Sequence, residues 1–477
     1  MDAEATPASM TSFPAMRTIS LTHSLSTNAM VLLLQFACTI DWFKRAAAGF
    51  STPSTAAIFF RIVTRWVCMN HILKDLRIIE GSAFVAAPLA GMTLAQLGAD
   101  VIRFDPIRGG LDAKRWPVDQ HGNSLYWAGL NKGKRSIAVD TRKPEGQELI
   151  TALITAPGTG NGIFLTNFPA SGWLGYEALK KRRHDLIMLN LVGSPDGSSA
   201  VDYTVNCAVG IPFSTGPAHS DAAHPVNHAL PAWDAIAGVT SALGLVTAER
   251  HRRLTGEGQL VKIALSDVAM AMVGNLGYIA EAELMHEDRP AFGNYLYGAY
   301  GRDFETKDHR LIYIVAITDR MWTELGRVTG LADRFAMIEP LLGVNLKDEG
   351  DRFRARDVIS AVLDTWVSAR TLDEIKAAFA GTGVCWGPYQ TFRQMLREDP
   401  RCSTANPVFR ELDQPGIGRY LVPGSPLDFE RAPRGEPVRA PLLGEHTDEV
   451  LASLLGLGDM QIGKLRDAKI VAGPVKS

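Results

Sequence analysis

The residue with the most chemical promise is a carboxylate at the start of an apolar helix. Asp234 stands in Leu230-Pro-Ala-Trp-Asp-Ala-Ile-Ala-Gly238, where a polar loop gives way to helical periodicity. One reading is structural: an aspartate there caps the helix by accepting a backbone N–H of the first turn. The other is chemical. The positive end of a helix keeps a carboxylate ionised, and an ionised carboxylate beside apolar Trp233 suits a nucleophilic aspartate. A second candidate is a set of cations near predicted strand ends: Arg103, Arg108, Lys132, Lys134, Arg135 and Arg142. Such a set either faces solvent or neutralises a phosphorylated ligand at the loops of a sheet.

Other chemistries lack the spacing they need. Gly81–Ala87, after the first predicted strand, has no GxGxxG, and Gly158-Thr-Gly-Asn-Gly162 precedes a strand instead of following one. There is no Walker loop, and Gly193-Ser-Pro-Asp-Gly197 reads as a turn, not a nucleophile elbow. His219, His224 and His228 lack a carboxylate at zinc-site spacing, so no metal site is expected. Cys38, Cys68, Cys207, Cys385 and Cys402 are odd in number and scattered, which suits a reduced, cytoplasmic protein without a disulfide framework.

The elements that must position these residues alternate. Predicted strands at 76–80, 100–104, 136–139, 163–166, 186–192 and 259–265 are separated by helices at 88–97, 144–155, 176–183 and 234–253. This is the pattern of βαβ units in a parallel sheet with helices on both faces. The 234–253 helix is expected to bury Ile236, Val239, Leu243 and Val246, and a single apolar helix is expected over 267–285. The stretch 194–231 reads as a long loop. Beyond Glu287 a β-like segment at 311–317 and helices at 321–328 and 355–367 indicate a smaller α+β domain. With 477 residues, 46% hydrophobic side chains and 49 basic against 51 acidic groups, the chain is a multidomain globular protein without the global charge that nucleic acid or an anionic membrane would require. The first seventy residues differ: rich in Ser, Thr and Ala and poor in acids, they read as a disordered or transit-like extension, or as sequence upstream of a start at Met69.

Several segments, in order, carry a resemblance. They are Gly98-Ala-Asp-Val-Ile102, Asn131–Asp140 (NKGKRSIAVD), Pro144-Glu-Gly146, Asn167-Phe168, Gly175-Tyr-Glu-Ala-Leu179, Thr255-Gly-Glu-Gly-Gln259 and Ala440–Val450 (APLLGEHTDEV). Through them, from about His71 to Pro474, the chain resembles the class III coenzyme A transferases. Gly81–Leu89, Val101–Trp116, Asn294–Thr306 and Gln414–Phe429 are similar to a branch that moves CoA between the C1 and C4 carboxyls of mesaconate, turning 2-methylfumaryl-CoA into 3-methylfumaryl-CoA. The family's nucleophilic aspartate precedes the last Gln of its TGxGQ segment by twenty-five residues, the separation of Asp234 and Gln259. The resemblance therefore selects Asp234 over Asp202 and Asp267. It places CoA contacts on Val85, Ala86, Val139, Arg142, Asn167, Phe168 and Leu265, with Arg108 grouped beside them, and an active-site tyrosine on Tyr203.

The resemblance further implies a Rossmann-like doubly wound α/β large domain plus a smaller α+β domain, in an interlocked homodimer. The large domain would span 71–265 and the return segment 416–477, with a linker helix and small domain over 266–415. Tyr295, Tyr297 and Arg302 become substrate-pocket candidates, and CoA is part of the substrate, so no cofactor is expected. The family's NFRPG-type turn is shortened here to Asn167-Phe-Pro-Ala-Ser171, and Val201 stands where formyl-CoA transferases carry a lysine. The alternative activity is intermolecular transfer from an acyl-CoA to a free dicarboxylic acid. A nicotinamide-dependent dehydrogenase and a non-catalytic acyl-CoA-binding protein are more distant alternatives.

Overall fold

The computed structural model describes residues 72–218 and 224–474, all within a unit spanning Met69–Ser477. The expectations for residues 1–70, and His219, lie outside the described residues.

Apolar runs make the strands. β1 (Arg77–Gly81), β2 (Asp100–Asp105), β3 (Arg135–Val139), β4 (Ile163–Thr166), β5 (Ile187–Val192) and β6 (Leu260–Ala264) form a parallel sheet in the order β3-β2-β1-β4-β5-β6. A seventh strand, β12 (Val471–Ala472), comes from the far end of the chain and pairs antiparallel with β3. Successive residues point to opposite faces. Ile78, Val101, Leu165 and Leu189 join one core with the helices Ala86–Gln96, Ala232–Thr255 and Leu265–Asn275. Ile79, Ile102, Phe164 and Met188 join another with Pro144–Ile154, Thr447–Leu455 and Asp459–Asp467. Both faces are covered, as a parallel sheet requires.

Two helices of the first core approach unusually closely. Ala232–Thr255 turns its small residues Ala237, Gly238, Ser241 and Ala242 inward, and a Cβ on Gly238 would stand 2.8 Å from the Ala86 carbonyl oxygen. The expected apolar face is only half buried: Ile236 and Val246 pack against the core, whereas Val239 and Leu243 are exposed, because small side chains make the close approach. The helix between 267 and 285 is also broken, into Leu265–Asn275 and Tyr278–Met285, at Gly277 with φ 84°. The stretch 194–231 is not all loop. It contains short helices Asp202–Ala208 and Ile211–Ser214.

A smaller antiparallel sheet is built from β7 (Tyr300–Glu305), β8 (Leu311–Ala316) and β9 (Cys385–Pro388). Its core joins Tyr300, Ile312 and Ile314 to Leu325, Ile359, Leu363 and Ile375 of flanking helices. The hairpin of β10 (Phe409–Gln414) and β11 (Gly418–Pro423) stands apart in sequence between this sheet and the return to β3. Among the described residues no helix is long and apolar enough to cross a membrane.

Candidate active site

β1 and β4 are neighbours from which the chain departs to opposite sides of the sheet, and ligands bind beyond the carboxyl ends of strands at such a point. Asn167, just past β4, clamps the loop that follows β1: its Oδ1 accepts from the Ala83 N–H at 3.0 Å and its Nδ2 donates to the Ala83 carbonyl at 2.8 Å. Thr166 Oγ1 donates to the Gly81 carbonyl at 2.7 Å and accepts from the Phe168 N–H at 3.0 Å. The structure thus brings Val85, Ala86, Asn167 and Phe168 to one place.

Arg108 and Arg142 lie farther along the sheet edge. They line a cleft of about 1090 Å³ with Ile107, Asp140, Lys143, Arg466 and Lys469, beyond β2 and β3. The exposed Arg142 donates from Nε to Asp140 Oδ1 at 2.8 Å, and this pairing holds the half-buried Asp140 carboxyl well below the usual range. Val139 and Leu265 are buried in the cores flanking the sheet.

The other cations of the predicted set have structural work. Arg103 is buried against Asp105 and Asp112, and Lys134 donates to Glu80, the Pro88 carbonyl and Asn131. Arg135 pairs with Asp100. Lys132 is buried, and desolvation pushes its ammonium down to about 8. Charges taken out of water must be paired, so Arg103, Lys134 and Arg135 are committed to their acids in the fold.

Asp234 lies in the first turn of Ala232–Thr255, whose cap position is Pro231, so the N-cap reading fails: the helix begins earlier than its periodicity suggests. Its main-chain N–H donates to Asp202 Oδ2 at 2.9 Å. The half-buried Asp234 side chain accepts no hydrogen bond from the described residues, and its carboxyl is pushed up to about 6. Desolvation is the main cause, the Asp202 charge adds to it, and Arg115 opposes it. The helix end therefore does not keep Asp234 at an ordinary carboxylate pKa, although it remains mostly ionised at neutral pH.

Neighbouring Trp233 is fixed by Nε1 donating to Asn206 Oδ1 at 3.0 Å. Tyr203 sits on the same short helix as Asp202 and Asn206, its hydroxyl 3.4 Å from the Ala229 carbonyl. Tyr295, Tyr297 and Arg302 are engaged elsewhere. Tyr295 donates to Asp357 at 2.8 Å, Tyr297 donates to Glu281 at 2.7 Å, and Arg302 donates to the Tyr295 hydroxyl at 3.1 Å. None of these contacts reaches Asp234.

An ionisable carboxylate free of hydrogen bonds from the described residues can accept an acyl group from a thioester. The sequence profile described as CoA-transferase family III matches residues 73–447. The chain belongs to this family. It is 61% identical over 407 residues to 2-methylfumaryl-CoA isomerase of Chloroflexus aurantiacus, covering 85% of this chain and 99% of that protein. It is 27% identical to formyl-CoA:oxalate CoA-transferase of Rhodopseudomonas palustris, over 86% of this chain and 99% of the relative. A crystal structure of a CaiB/BaiF family protein from Brucella suis shares the fold, with a TM-score of 0.66 at 24% identity, covering 81% of this chain and all (100%) of that one. As a family III member, the chain is an enzyme of the CoA-transferase class.

Residues beside Asp234 escaped sequence reasoning. Asp202 was considered only as a rival nucleophile, whereas the structure makes it the support of Asp234. Phe84 and Arg115 lie in segments that carry the resemblance but were assigned no role, and Tyr126 lies in none; loop geometry brings the three together. Lys143 follows β3, whereas Arg466 and Lys469 reach the basic cleft through β12 and the helix before it, a pairing no local pattern reveals.

Proposed function

We propose that this chain interconverts 2-methylfumaryl-CoA and 3-methylfumaryl-CoA by moving CoA between the C1 and C4 carboxyls of one mesaconate. Near full-length likeness to the Chloroflexus isomerase carries this reading, and the available Asp234 carboxylate supplies the chemistry.

Asp234 attacks the C1 thioester carbonyl, forming an aspartyl–mesaconyl anhydride and expelling the CoA thiolate. The thiolate attacks the aspartyl carbonyl, which gives an aspartyl-CoA thioester and free mesaconate. The C4 carboxylate attacks that thioester, expels the CoA thiolate and forms the second anhydride. The thiolate then attacks the C4 carbonyl, releasing 3-methylfumaryl-CoA and the Asp234 carboxylate. Each bond broken is matched by one formed, so the sequence balances without a metal, flavin or nicotinamide. Retaining the mesaconate makes the second half intramolecular, with an effective molarity on the order of 10⁵ M or more. Water must be excluded, because the anhydride hydrolyses.

In this reading Val85, Ala86, Asn167 and Phe168 guide the pantetheine arm, Arg108 and Arg142 the nucleotide end, and Tyr203 the acyl group, while Val139 and Leu265 support the sheet from its cores. An interlocked homodimer completes the pocket: Tyr295, Tyr297 and Arg302, whose hydrogen bonds within one chain do not reach Asp234, line the pocket of the partner protomer. The exposed apolar residues Val239 and Leu243 suit burial in such an assembly.

The test is incubation of the protein with 2-methylfumaryl-CoA alone, with the two regioisomers resolved by chromatography. Conversion without added acid supports the internal transfer. Conversion only after a free dicarboxylic acid is supplied overturns it in favour of intermolecular transfer.

A further inference from the structure

We propose that Arg115 and Tyr126 form the receptor for the free carboxylate of the acyl group, and so make the site selective for dicarboxylic acyl chains. The inference deepens, and rests on, the functional reading above.

The receptor is assembled by one serine. Ser124 Oγ donates to the Arg115 carbonyl at 2.5 Å and accepts from the Trp127 N–H at 3.0 Å, capping the helix Leu125–Leu130 that carries Tyr126. The Arg115 guanidinium consequently lies 5.2 Å from the Tyr126 ring centroid and 5.3 Å from that of Phe84. Aromatic faces hold a cation while leaving its N–H edge free for a planar anion. Arg115 has no carboxylate within ion-pair distance among the described residues. The Tyr126 hydroxyl is buried beside the Arg115 guanidinium and has no well-formed hydrogen bond to a described residue.

Phe84 ties this pair to the reacting end of the site. It adopts φ 69°, a left-handed conformation that a bulky residue holds only when its surroundings enforce it. It directly precedes Val85 and Ala86, and Ala86 packs against Gly238, one turn beyond Asp234. Two acids, Asp234 and Asp202, already occupy that end. The free carboxylate of a dicarboxylic thioester would be repelled by both unless a cation held it. One carboxylate would satisfy the unpaired guanidinium through two hydrogen bonds and the unpaired phenol through a third.

The test compares 2-methylfumaryl-CoA with crotonyl-CoA, which lacks the second carboxylate, as donors to Asp234, read as CoA release with hydroxylamine trapping of the acyl group. Wild-type protein prefers the dicarboxylic donor. Arg115→Gln reduces that preference about 100-fold, mainly through KM, and Tyr126→Phe about 10-fold, as expected for hydrogen bonds to charge. Arg115→Lys retains part of the preference, which separates loss of the charge from loss of the fold. An unchanged preference in Arg115→Gln, or equal slowing with both donors in all three variants, overturns the proposal. Wild-type protein that favours the dicarboxylic donor yet yields no regioisomer overturns the isomerase reading and upholds this one.

Discussion

The main-chain N–H of Asp234 donates to Oδ2 of Asp202 at 2.9 Å, so the acid that fixes the backbone of Asp234 also raises its pKa. A carboxylate at about 6 is a stronger nucleophile than an ordinary aspartate and still mostly charged at neutral pH. In the wild type, kcat/KM falls as pH drops through about 6, because protonated Asp234 cannot attack. Asp202→Asn keeps an acceptor for the N–H but removes the like charge. Its acid limb moves below about 6 without reaching 3.8, since burial, the larger cause, remains. A pH–rate profile that does not move contradicts this arrangement.

Asp234→Asn separates activity from stability. Turnover falls on the order of 10³-fold or more. The folded-state pKa lies above the unfolded one, so the stabilising effect of this group is complete below 3.8 and is lost as pH rises through about 6. At pH 8 the neutral asparagine therefore unfolds at a higher temperature than the wild type, by roughly 1–3 kcal/mol in stability. At pH 3.5 calorimetry shows little difference.

Asn167→Ala removes both hydrogen bonds that hold Ala83 across the β1–β4 junction. The expected cost is about 1–3 kcal/mol of stability, with KM for the CoA ester raised about 10-fold as the loop loses its register. Denaturant titration and initial rates read the two effects.

Gly238→Ala places a methyl group 2.8 Å from the Ala86 carbonyl and 3.0 Å from Leu89 Cδ2. Backbone must move, at about 1–3 kcal/mol. Separation of the two helices shifts Asp234 relative to the loop after β1, so kcat falls more than KM rises. Steady-state kinetics with an intact melting transition distinguish this from unfolding.

Neutralising Arg108 and Arg142 together weakens the phosphate end alone. KM for the CoA ester rises about 10-fold, while the pantetheine thioester, which lacks the nucleotide, reacts as with the wild type. Equal loss with both substrates would place the nucleotide elsewhere.

Much of the large sheet was legible because its strands are short runs such as Ile-Ile-Glu and Val-Ile-Arg-Phe, set between helices. Helix faces and termini were harder. Hydrophobic periodicity favoured Val239 and Leu243, yet close approach between helices selects Ala237, Gly238 and Ala242. Gly277 did not announce itself as a break, because a helix can absorb one glycine when tertiary packing demands it. The cations failed for a related reason. Whether Arg103 or Lys134 meets a ligand or a buried acid depends on Asp105, Asp112 and Glu80, whose proximity is decided by strand register. Asp234 itself was placed by family resemblance, its local pattern being compatible with an unremarkable cap.

The antiparallel edge strand β12 bonds to β3 although the small domain's sequence is threaded between them. Synthesis on the ribosome therefore cannot complete the sheet in stepwise order: the rim beside β3 waits, open, until the intervening residues have emerged. Such a delay exposes an unpaired border during biogenesis, slows maturation through high contact order, and makes chaperone demand a property of this topology.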